Sequence, residues 1–250
     1  MIDLKTDEEM QKMREGGKKL REVVSKLKEE IRRGVTTLDV DSKAESLIKE
    51  HGGEPSFKRV KGYHWSTCLP VNEQVVHTPP SDRVLKEGDI ITLDIGMYYE
   101  GLHTDFADTW YLGTGRNKDF EDFLNTGRKA LFTAIEKARE GNRIGHISES
   151  IERDIYKSGY FILKQLTGHG IGKELHEDPF VPGFLSGSIK NTALISSGLT
   201  LAIEVIYSKG TEEIRHEEGS KWSIITADKS LSACFEHTIA IINEEPVVLT

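Results

Sequence analysis

The chain has 250 residues, of which 37% are hydrophobic and 30% charged, and its formal net charge is −8. This length can bury a full core in one large domain or two small ones. The acidic balance gives no electrostatic reason for nucleic acid to be the main ligand. Because the sequence has no run of 18 apolar residues, no membrane span is expected. The N-terminus lacks the apolar stretch of a secretory signal and the two cysteines form no paired motif, so we expect a reduced, cytoplasmic protein.

Two helices are predicted at the start of the chain. Thr6 and Glu9 have the spacing of a capping box, which predicts that the first helix begins there. This helix is expected to end at Gly34, because two arginines and then a glycine are typical of a helix C-terminus. A second helix is expected over residues 37–51, and two consecutive glycines follow it.

Extended and irregular structure is predicted next. PSFKRV (55–60) indicates a short strand, and the proline-containing residues 62–82 indicate a loop in which VVH (75–77) could be extended. Residues 88–113 predict two strands joined by a turn at 99–101, because β-branched and aromatic residues flank a turn that contains glycine.

The second half of the chain repeats this order of elements. A third helix is expected over residues 118–140 and a fourth over 147–157, because apolar residues recur there at helical spacing. The strands predicted after them are YFILKQL, LTLAIEVIY, KWSIIT, CFEHTIAIIN and PVVLT. Two helices followed by strands, twice over, predict one α+β domain over residues 1–250, made of two similar α-α-β halves with antiparallel pairing.

Four carboxylates lie in predicted strands. Three stand alone in apolar stretches, whereas Asp105 lies in the polar run HTDFAD, where a solvent-facing acid is the simple interpretation. Asp94 lies in ITLDIGM, Asp105 on the return strand, Glu204 in LTLAIEVIY and Glu236 in CFEHTIAII. Buried carboxylates are rare unless they are paired or bound to metal. An ion pair is one interpretation, but the strands of Glu204 and Glu236 contain no lysine or arginine. A metal site is therefore favoured.

The hairpin sharpens this expectation. A turn between Tyr99 and Glu100 would place Asp94 directly opposite Asp105, and like charges that face each other across two strands are destabilising unless a cation lies between them. Four acids and a histidine suit one or two divalent cations such as Mn²⁺, Fe²⁺, Co²⁺ or Zn²⁺. Because a mononuclear catalytic zinc site needs only three protein ligands, five ligands favour two metals that share carboxylates.

The glycine-rich run TGHGIGKELHEDP (167–179) contains His169 and His176. A polar surface loop is the simple interpretation. The alternative is a site that the backbone approaches closely, with Gly168 and Gly170 beside the first imidazole. These thirteen residues alone do not decide between the two.

Taken together, the motifs resemble the type I methionine aminopeptidases, a family with the pita-bread fold. The resemblance runs over nearly the whole chain and keeps the family's acid–acid spacing of eleven and its His–His spacing of seven. The motifs that carry it are VNEQVVH (71–77), GDIITLDIG (88–96), GLHTD (101–105), GHGIGKELHEDP (168–179), AIE (202–204) and SLSACFEHT (230–238).

The resemblance implies an enzyme that removes the initiator methionine from nascent proteins, using two divalent ions (Mn, Fe, Co or Zn). The implied metal ligands are four acids and one histidine: Asp94, Asp105, His169, Glu204 and Glu236. Asp105 and Glu236 would bridge the ions, and Glu204 would also shuttle protons. His176 would hydrogen-bond the scissile carbonyl, and His77 would contact the substrate beyond the scissile bond.

The resemblance also implies an apolar, aromatic pocket with a cysteine for the methionine side chain. Its candidate residues are Tyr63, His64, Trp65, Cys68 and Trp222. For Cys68 and Trp222 a core position is an equally good interpretation. The segment before residue 71 is shorter than is usual in the family, which bears on how strict the methionine preference is. Val205 stands where the family usually has proline, but this departure removes no metal ligand.

Two other functions compete with this one. A relative that cleaves before proline, of the Xaa-Pro aminopeptidase or prolidase type, usually has an additional N-terminal domain, for which 250 residues leave no room. A non-catalytic pita-bread binding protein should have lost metal ligands, and this chain retains all five. The expected partners are nascent polypeptide N-termini. Association with the ribosome would fit that substrate, although no basic patch indicates it, and a monomer is the default expectation.

Overall fold

The computed structural model describes residues 2–250, in which two helices precede a set of strands twice in succession. The helices are α1 (Asp7–Glu30), α2 (Thr37–Glu50), α3 (Lys118–Ile135) and α4 (Ile144–Lys157). The strands of the first half are β1 (Glu54–Pro55), β2 (Thr67–Cys68), β3 (Gln74–Val76), β4 (Ile90–Tyr99) and β5 (Leu102–Tyr111). The later strands are β6 (Phe161–Ile162), β7 (Thr167–Gly170), β8 (Glu177–Pro182), β9 (Thr200–Ser208), β10 (Ile214–His216), β11 (Ile224–Thr226), β12 (Ser232–Ile242) and β13 (Glu245–Val248).

Both N-terminal helices begin at a capping box. The Thr6 side chain accepts a hydrogen bond from the backbone N–H of Glu9, and the Glu9 carboxylate accepts one from the backbone N–H of Thr6 at 2.9 Å. Thr36 and Asp39 form the same arrangement at α2. The predicted start of α1 is therefore confirmed, and such a cap stabilises a helix by about 1 kcal/mol.

The main sheet is antiparallel and joins the two halves. Its strand order is β1-β4-β5-β12-β9-β7-β8, so the β4–β5 hairpin of the first half lies beside the β12–β9 pair of the second. The seam between the halves is short: β5 and β12 share two residue pairs, Glu236 with Ala107 and His237 with Phe106. The predicted α-α-β halves with antiparallel pairing are confirmed. Among residues 2–250, no helix is long and apolar enough to cross a membrane.

The helices pack against one face of this sheet. One core cluster joins α1 and α2 to alternate β4 residues such as Leu93 and Ile95, and another joins α3 and α4 to alternate β9 and β12 residues such as Val205 and Phe235. Because successive side chains of a strand point to opposite faces, the acids next to these residues in sequence point away from the helices. The functional candidates therefore share the other face.

The register of the β4–β5 hairpin differs from the prediction. Glu100 and Gly101 form a two-residue turn with φ angles of 48° and 91°, so Tyr99 pairs with Leu102. Two-residue turns with positive φ at both positions match the right-handed twist of the strands. As a result, Asp94 lies opposite Ala107 rather than opposite Asp105. The two acids stay on the same face, as diagonal neighbours.

Other element predictions also require correction. The strand predicted over residues 55–60 is wrong: β1 ends at Pro55, and a 3₁₀ turn over Phe57–Arg59 follows it and buries the Phe57 ring. The third helix ends at Ile135, five residues before the prediction. The fourth begins at Ile144, where the Arg143 backbone N–H donates to the side chain of His146 at 2.9 Å. Strands β7 and β8, on either side of His176, were not predicted.

Candidate metal centre and active site

The sheet face opposite the helices carries all five predicted metal ligands. They come from five successive strands of the sheet, β4, β5, β12, β9 and β7, and form two neighbouring rows. The first row runs across paired residues Asp94, Ala107, Glu236 and Glu204. In the second row, Asp105 receives a hydrogen bond from Thr238, and Ala202 pairs with both Thr238 and His169. Residues distant in sequence therefore converge on one wall of a cavity.

The centre of this arrangement is buried and compact. One oxygen each of Asp105 and Glu236 and one ring nitrogen of His169 lie within 4.8 Å of one another. All three side chains are buried. The Oε1 atom of Glu204 lies 3.4 Å from Nε2 of His169. These are distances that one or two small cations could span with direct ligand bonds.

A hydrogen bond at Nδ1 orients the His169 ring so that Nε2 is free to bind a metal. Its Nδ1 lies 2.8 Å from the backbone oxygen of Gly170, which can only accept, so Nδ1 carries the proton and Nε2 presents a lone pair toward Glu204. This bond to a backbone carbonyl is the usual partner of a metal-binding histidine. Burial lowers the pKa of His169 to about 3, so the neutral imidazole, the form that binds metal, dominates at neutral pH.

The carboxylates are electrostatically unfavourable without a cation. Burial raises the pKa of Asp105 to about 7. Burial, together with repulsion from Asp105, raises the pKa values of Asp94, Glu204 and Glu236 well above their usual range. Among the described residues, the buried Oε1 of Glu236 has no hydrogen-bond partner. Four crowded acids and an orphaned oxygen fit a site for divalent metal.

An apolar wall lies beside the Asp94 end of the rows. Cys68 pairs with Asp94 across β2 and β4, and its sulfur lies 3.1 Å from the Tyr63 hydroxyl. The Tyr63 hydroxyl donates to the backbone oxygen of Thr67 at 2.8 Å. The Trp222 ring packs edge-on against Tyr63 with centroids 5.2 Å apart. Tyr63, Cys68 and Trp222 thus line the same cavity as the ligands.

The other two pocket candidates lie outside this lining. His64 is exposed, and Trp65 packs edge-on against Tyr63 with centroids 5.3 Å apart. Sequence reasoning missed five other residues that line the cavity: Phe57, Val60, Val76, Leu175 and Cys234. Strand alternation could have identified Cys234, which stands two residues before Glu236. No sequence signal marked Phe57, because it lies on the unpredicted 3₁₀ turn.

His77 and His176 lie at the rim of the cavity. Both are exposed and both line it. The ring centroid of His176 lies 4.4 Å from that of His169, with the planes at 67°. His77 directly follows β3 and has a positive φ of 55°. Their accessible imidazoles can therefore reach a molecule bound over the buried ligands.

The glycines around His169 serve strand packing. A Cβ atom on Gly168 would lie 2.5 Å from the backbone oxygen of Ala202, and one on Gly170 would overlap the backbone oxygen of Asp178. The close approach allowed by the two glycines is therefore between β7 and its neighbouring strands. This packing fixes His169 in its row.

Asp41, on α2, anchors the segment that leads to Cys68. Its Oδ1 atom accepts hydrogen bonds from the backbone N–H groups of Ser66 and Thr67, both at 2.9 Å, and from the Thr67 hydroxyl at 2.7 Å. Asp41 is buried, so these bonds are shielded from water. The pocket wall is thereby tied to the helical layer.

Asp41→Ala is expected to lower the free energy of unfolding by about 1–3 kcal/mol, because it leaves buried donors without an acceptor. It should also raise the KM for a peptide with an N-terminal methionine, the substrate that the sequence resemblance implies, since the apolar wall loosens. Asp41→Asn retains an acceptor oxygen and should lose much less on both counts. Denaturant titration and steady-state kinetics measure the two effects. Equal losses in the two variants would contradict the anchoring role.

Comparisons with known proteins show which family the chain is similar to. The model of the family described as metallopeptidase family M24 matches residues 11–243. A methionine aminopeptidase of Clostridium perfringens is 38% identical over 250 residues, covering 100% of this chain and 99% of the relative. The crystal structure of methionine aminopeptidase from Thermotoga maritima has a TM-score of 0.95 and 35% identity, covering 100% of this chain and 99% of that one.

The pita-bread fold is shared more widely. The prolidase from Pyrococcus furiosus superposes with a TM-score of 0.77 at 23% identity, over 99% of this chain but 65% of its own. The predicted pita-bread architecture is therefore confirmed, both by these neighbours and by the two α-α-β halves. With a family model that spans most of the sequence and a relative that matches from end to end, the chain belongs to the metallopeptidase family M24.

Proposed function

We propose that this chain removes the N-terminal methionine from nascent proteins and peptides by metal-dependent hydrolysis, and that residues 1–250 form one catalytic domain. The observation that carries the proposal is the convergence of four acids and His169 in one cavity beside an apolar, aromatic wall, with Asp105, Glu236 and His169 buried and in close reach of one another. The full-length relatives that bear the name methionine aminopeptidase support it.

Two divalent ions would be held by the five ligands. Asp105 and Glu236 occupy the central strands β5 and β12, with Asp94 on one side and Glu204 and His169 on the other. This order supports a role in which the two central acids would be shared by both ions. When bound, such ions lower the pKa of a water molecule and polarise a carbonyl group. Mn, Fe, Co and Zn all accept carboxylate and imidazole ligands.

The protein's own groups supply the remaining chemistry. Glu204 faces the centre from beside His169, where its carboxylate can hold and pass on a proton during hydrolysis. The accessible imidazole of His176 can donate a hydrogen bond to the scissile carbonyl oxygen as negative charge develops there. His77, which lines the cavity together with His176, would contact the peptide beyond the scissile bond.

The substrate's orientation follows from the position of the apolar wall. Cys68 stands opposite Asp94, so the first side chain of a peptide would lie against Tyr63 and Trp222 while its free amine meets the Asp94 side. Thioethers make favourable contacts with aromatic rings. A wall at this end of the ligand rows explains removal of a single N-terminal residue.

A peptide panel tests the function. Protein loaded with Mn²⁺ or Co²⁺ is expected to release methionine from Met-Ala-Ser and to leave Ala-Pro peptides intact. Glu204→Ala is the matched inactive control. Cleavage of Ala-Pro in preference to Met-Ala-Ser would favour the prolidase-type alternative, whose solved relatives share the fold. No release by loaded protein, with Glu204→Ala behaving identically, would overturn the proposal.

The proposed substrate implies a cellular setting. Nascent chain N-termini occur in the cytoplasm, so we infer a cytoplasmic enzyme that acts as a monomer. Work close to the ribosome would fit this substrate. Co-sedimentation with ribosomes that carry nascent chains tests such an association.

A further inference from the structure

The N-terminal segment contacts the loop over residues 171–176, which connects β7 to β8 and carries His176. The side chain of Lys5 is fully buried, and its Nζ lies 2.6 Å from Oε2 of Glu177, the residue after His176. Glu177 is itself 11% exposed at its side chain. The Lys5 ammonium also donates to the backbone oxygen of Asp3 at 3.0 Å. A buried ion pair therefore joins two segments 172 residues apart in sequence.

Glu177 connects this pair to the rest of the loop. Its Oε1 atom accepts a hydrogen bond from the backbone N–H of Glu174 at 3.0 Å, so one carboxylate binds both Lys5 and the loop backbone two residues before His176. A Cβ atom on Gly172 would overlap Cε of Lys5, so the lysine stem passes directly over the backbone of this glycine. The loop is therefore restrained on both sides of His176, at Gly172 and Glu174 before it and at Glu177 after it.

Lys5 is fixed on its own side as well. Its backbone N–H donates to the backbone oxygen of Gly198 at 2.8 Å, and the next residue, Thr6, caps α1. A second contact, from Lys173 to Asp3 and Glu9 at 3.1 and 3.0 Å, lies nearer the surface. Exposed pairs of this kind contribute little, so the buried Lys5–Glu177 pair is the principal ionic restraint on the loop.

We propose that Lys5 is a positioning residue, which holds the imidazole of His176 over the metal centre through Glu177. The inference rests on the proposed function of His176 as the group that meets the scissile carbonyl. Lys5 touches neither substrate nor ligands. It acts because a buried, closely spaced ion pair restrains the loop, and because removal of Lys5 leaves the carboxylate of Glu177 without its cation. Lys5 itself has a second, more distant partner in Oδ2 of Asp3 at 3.5 Å.

Lys5→Met is expected to lower kcat on a methionyl peptide about 10- to 100-fold, with little change in KM, since a displacement of about 1 Å can cost 10²-fold. Glu177→Gln should behave similarly. The matched control is Lys12→Met, because Lys12 pairs with Glu8 at the same 2.6 Å but at the surface, and its kcat should stay unchanged. Wild-type kcat in Lys5→Met would overturn the proposal.

A double-mutant cycle separates positioning from general destabilisation. In a His176→Ala background, Lys5→Met should cause no further loss of kcat, because the group it positions is gone. A loss as large as in the wild-type background would show that Lys5 acts elsewhere and would overturn the proposal. Lys5→Arg, which retains the charge, should recover part of the activity. If Lys5→Met does not fold, Glu177→Gln takes its place in the cycle.

Hydrogen exchange gives a readout that does not depend on catalysis. In Lys5→Met, the amides of residues 172–178 should exchange faster, whereas those of α3 should not, and Lys12→Met should match the wild type throughout. If the wild type releases no methionine, the proposed function fails, but this exchange pattern still tests the restraint. Unchanged exchange over residues 172–178 would overturn it.

Discussion

Glu236→Gln is expected to abolish peptide hydrolysis and, at pH 8, to stabilise the metal-free protein rather than weaken it. Activity is lost because a central ligand is replaced by a weaker one. Stability rises because the substitution removes one of four crowded, mutually repelling carboxylates. The expected gain is about 1–3 kcal/mol, the free energy that corresponds to roughly one to two pKa units of relieved repulsion.

The pH dependence has a definite sign. Burial raises the pKa of Asp105 to about 7, and the pKa values of Asp94, Glu204 and Glu236 are also raised. The native metal-free state therefore binds more protons than the unfolded state, and its stability is full below the unfolded pKa of about 4 and falls as pH rises through 7. Glu236→Gln should flatten this decline.

Chemical denaturation at pH 5 and pH 8, with and without metal, measures both effects. Added Mn²⁺ or Co²⁺ at 100 times its Kd should stabilise the wild type by about 2.7 kcal/mol and Glu236→Gln far less. Glu136→Gln, at an exposed position of the helical layer, is the control and should change neither quantity. A metal-free Glu236→Gln that is less stable than the wild type at pH 8 would contradict the crowding argument.

His176→Ala is expected to lower kcat by about 10²- to 10³-fold, the usual cost of losing a donor to a developing oxyanion. KM and metal affinity should change little, because the imidazole stands at the rim while the ligands lie beneath it. Steady-state kinetics on a methionyl peptide, together with metal titration, separates these quantities.

His64→Ala is the matched control for this variant. His64 is exposed and lies outside the cavity lining, so its removal should leave kcat and KM unchanged. A large loss in His64→Ala would restore the pocket role that the family resemblance implied. A loss of metal binding in His176→Ala would place this residue among the ligands instead.

The sequence allowed the convergence of the candidate ligands to be predicted because acids such as Asp94 and Glu204 interrupt strands that are otherwise apolar. Alternation along a strand then gives the face on which each acid lies. The direct pairing of Asp94 with Asp105 was predicted wrongly, because the prediction placed the turn between Tyr99 and Glu100. The structure forms the turn from Glu100 and Gly101, which shifts the pairing by two residues.

Elements rich in glycine or proline were less accessible to prediction. TGHG forms β7 although glycine is a poor strand former, because Gly168 fits against the backbone of Ala202, a contact between distant parts of the chain. Phe57 reaches the cavity because it lies on a 3₁₀ turn, whereas the pattern of PSFKRV had predicted a strand. The ion pair of Lys5 and Glu177 likewise depends on tertiary structure alone.

The candidate metal centre lies at the seam between the two halves, so a bound metal would also affect how the halves are held together. β5 and β12 are joined there by two residue pairs, and Asp105 and Glu236 face each other from opposite sides of that line. A cation shared by these two acids, as proposed above, would cross-link one half of the sheet to the other. Both cysteines are free thiols, so the proposed metal site would supply the cross-link between the halves that a disulfide does not, and the same ions would serve stability and catalysis together.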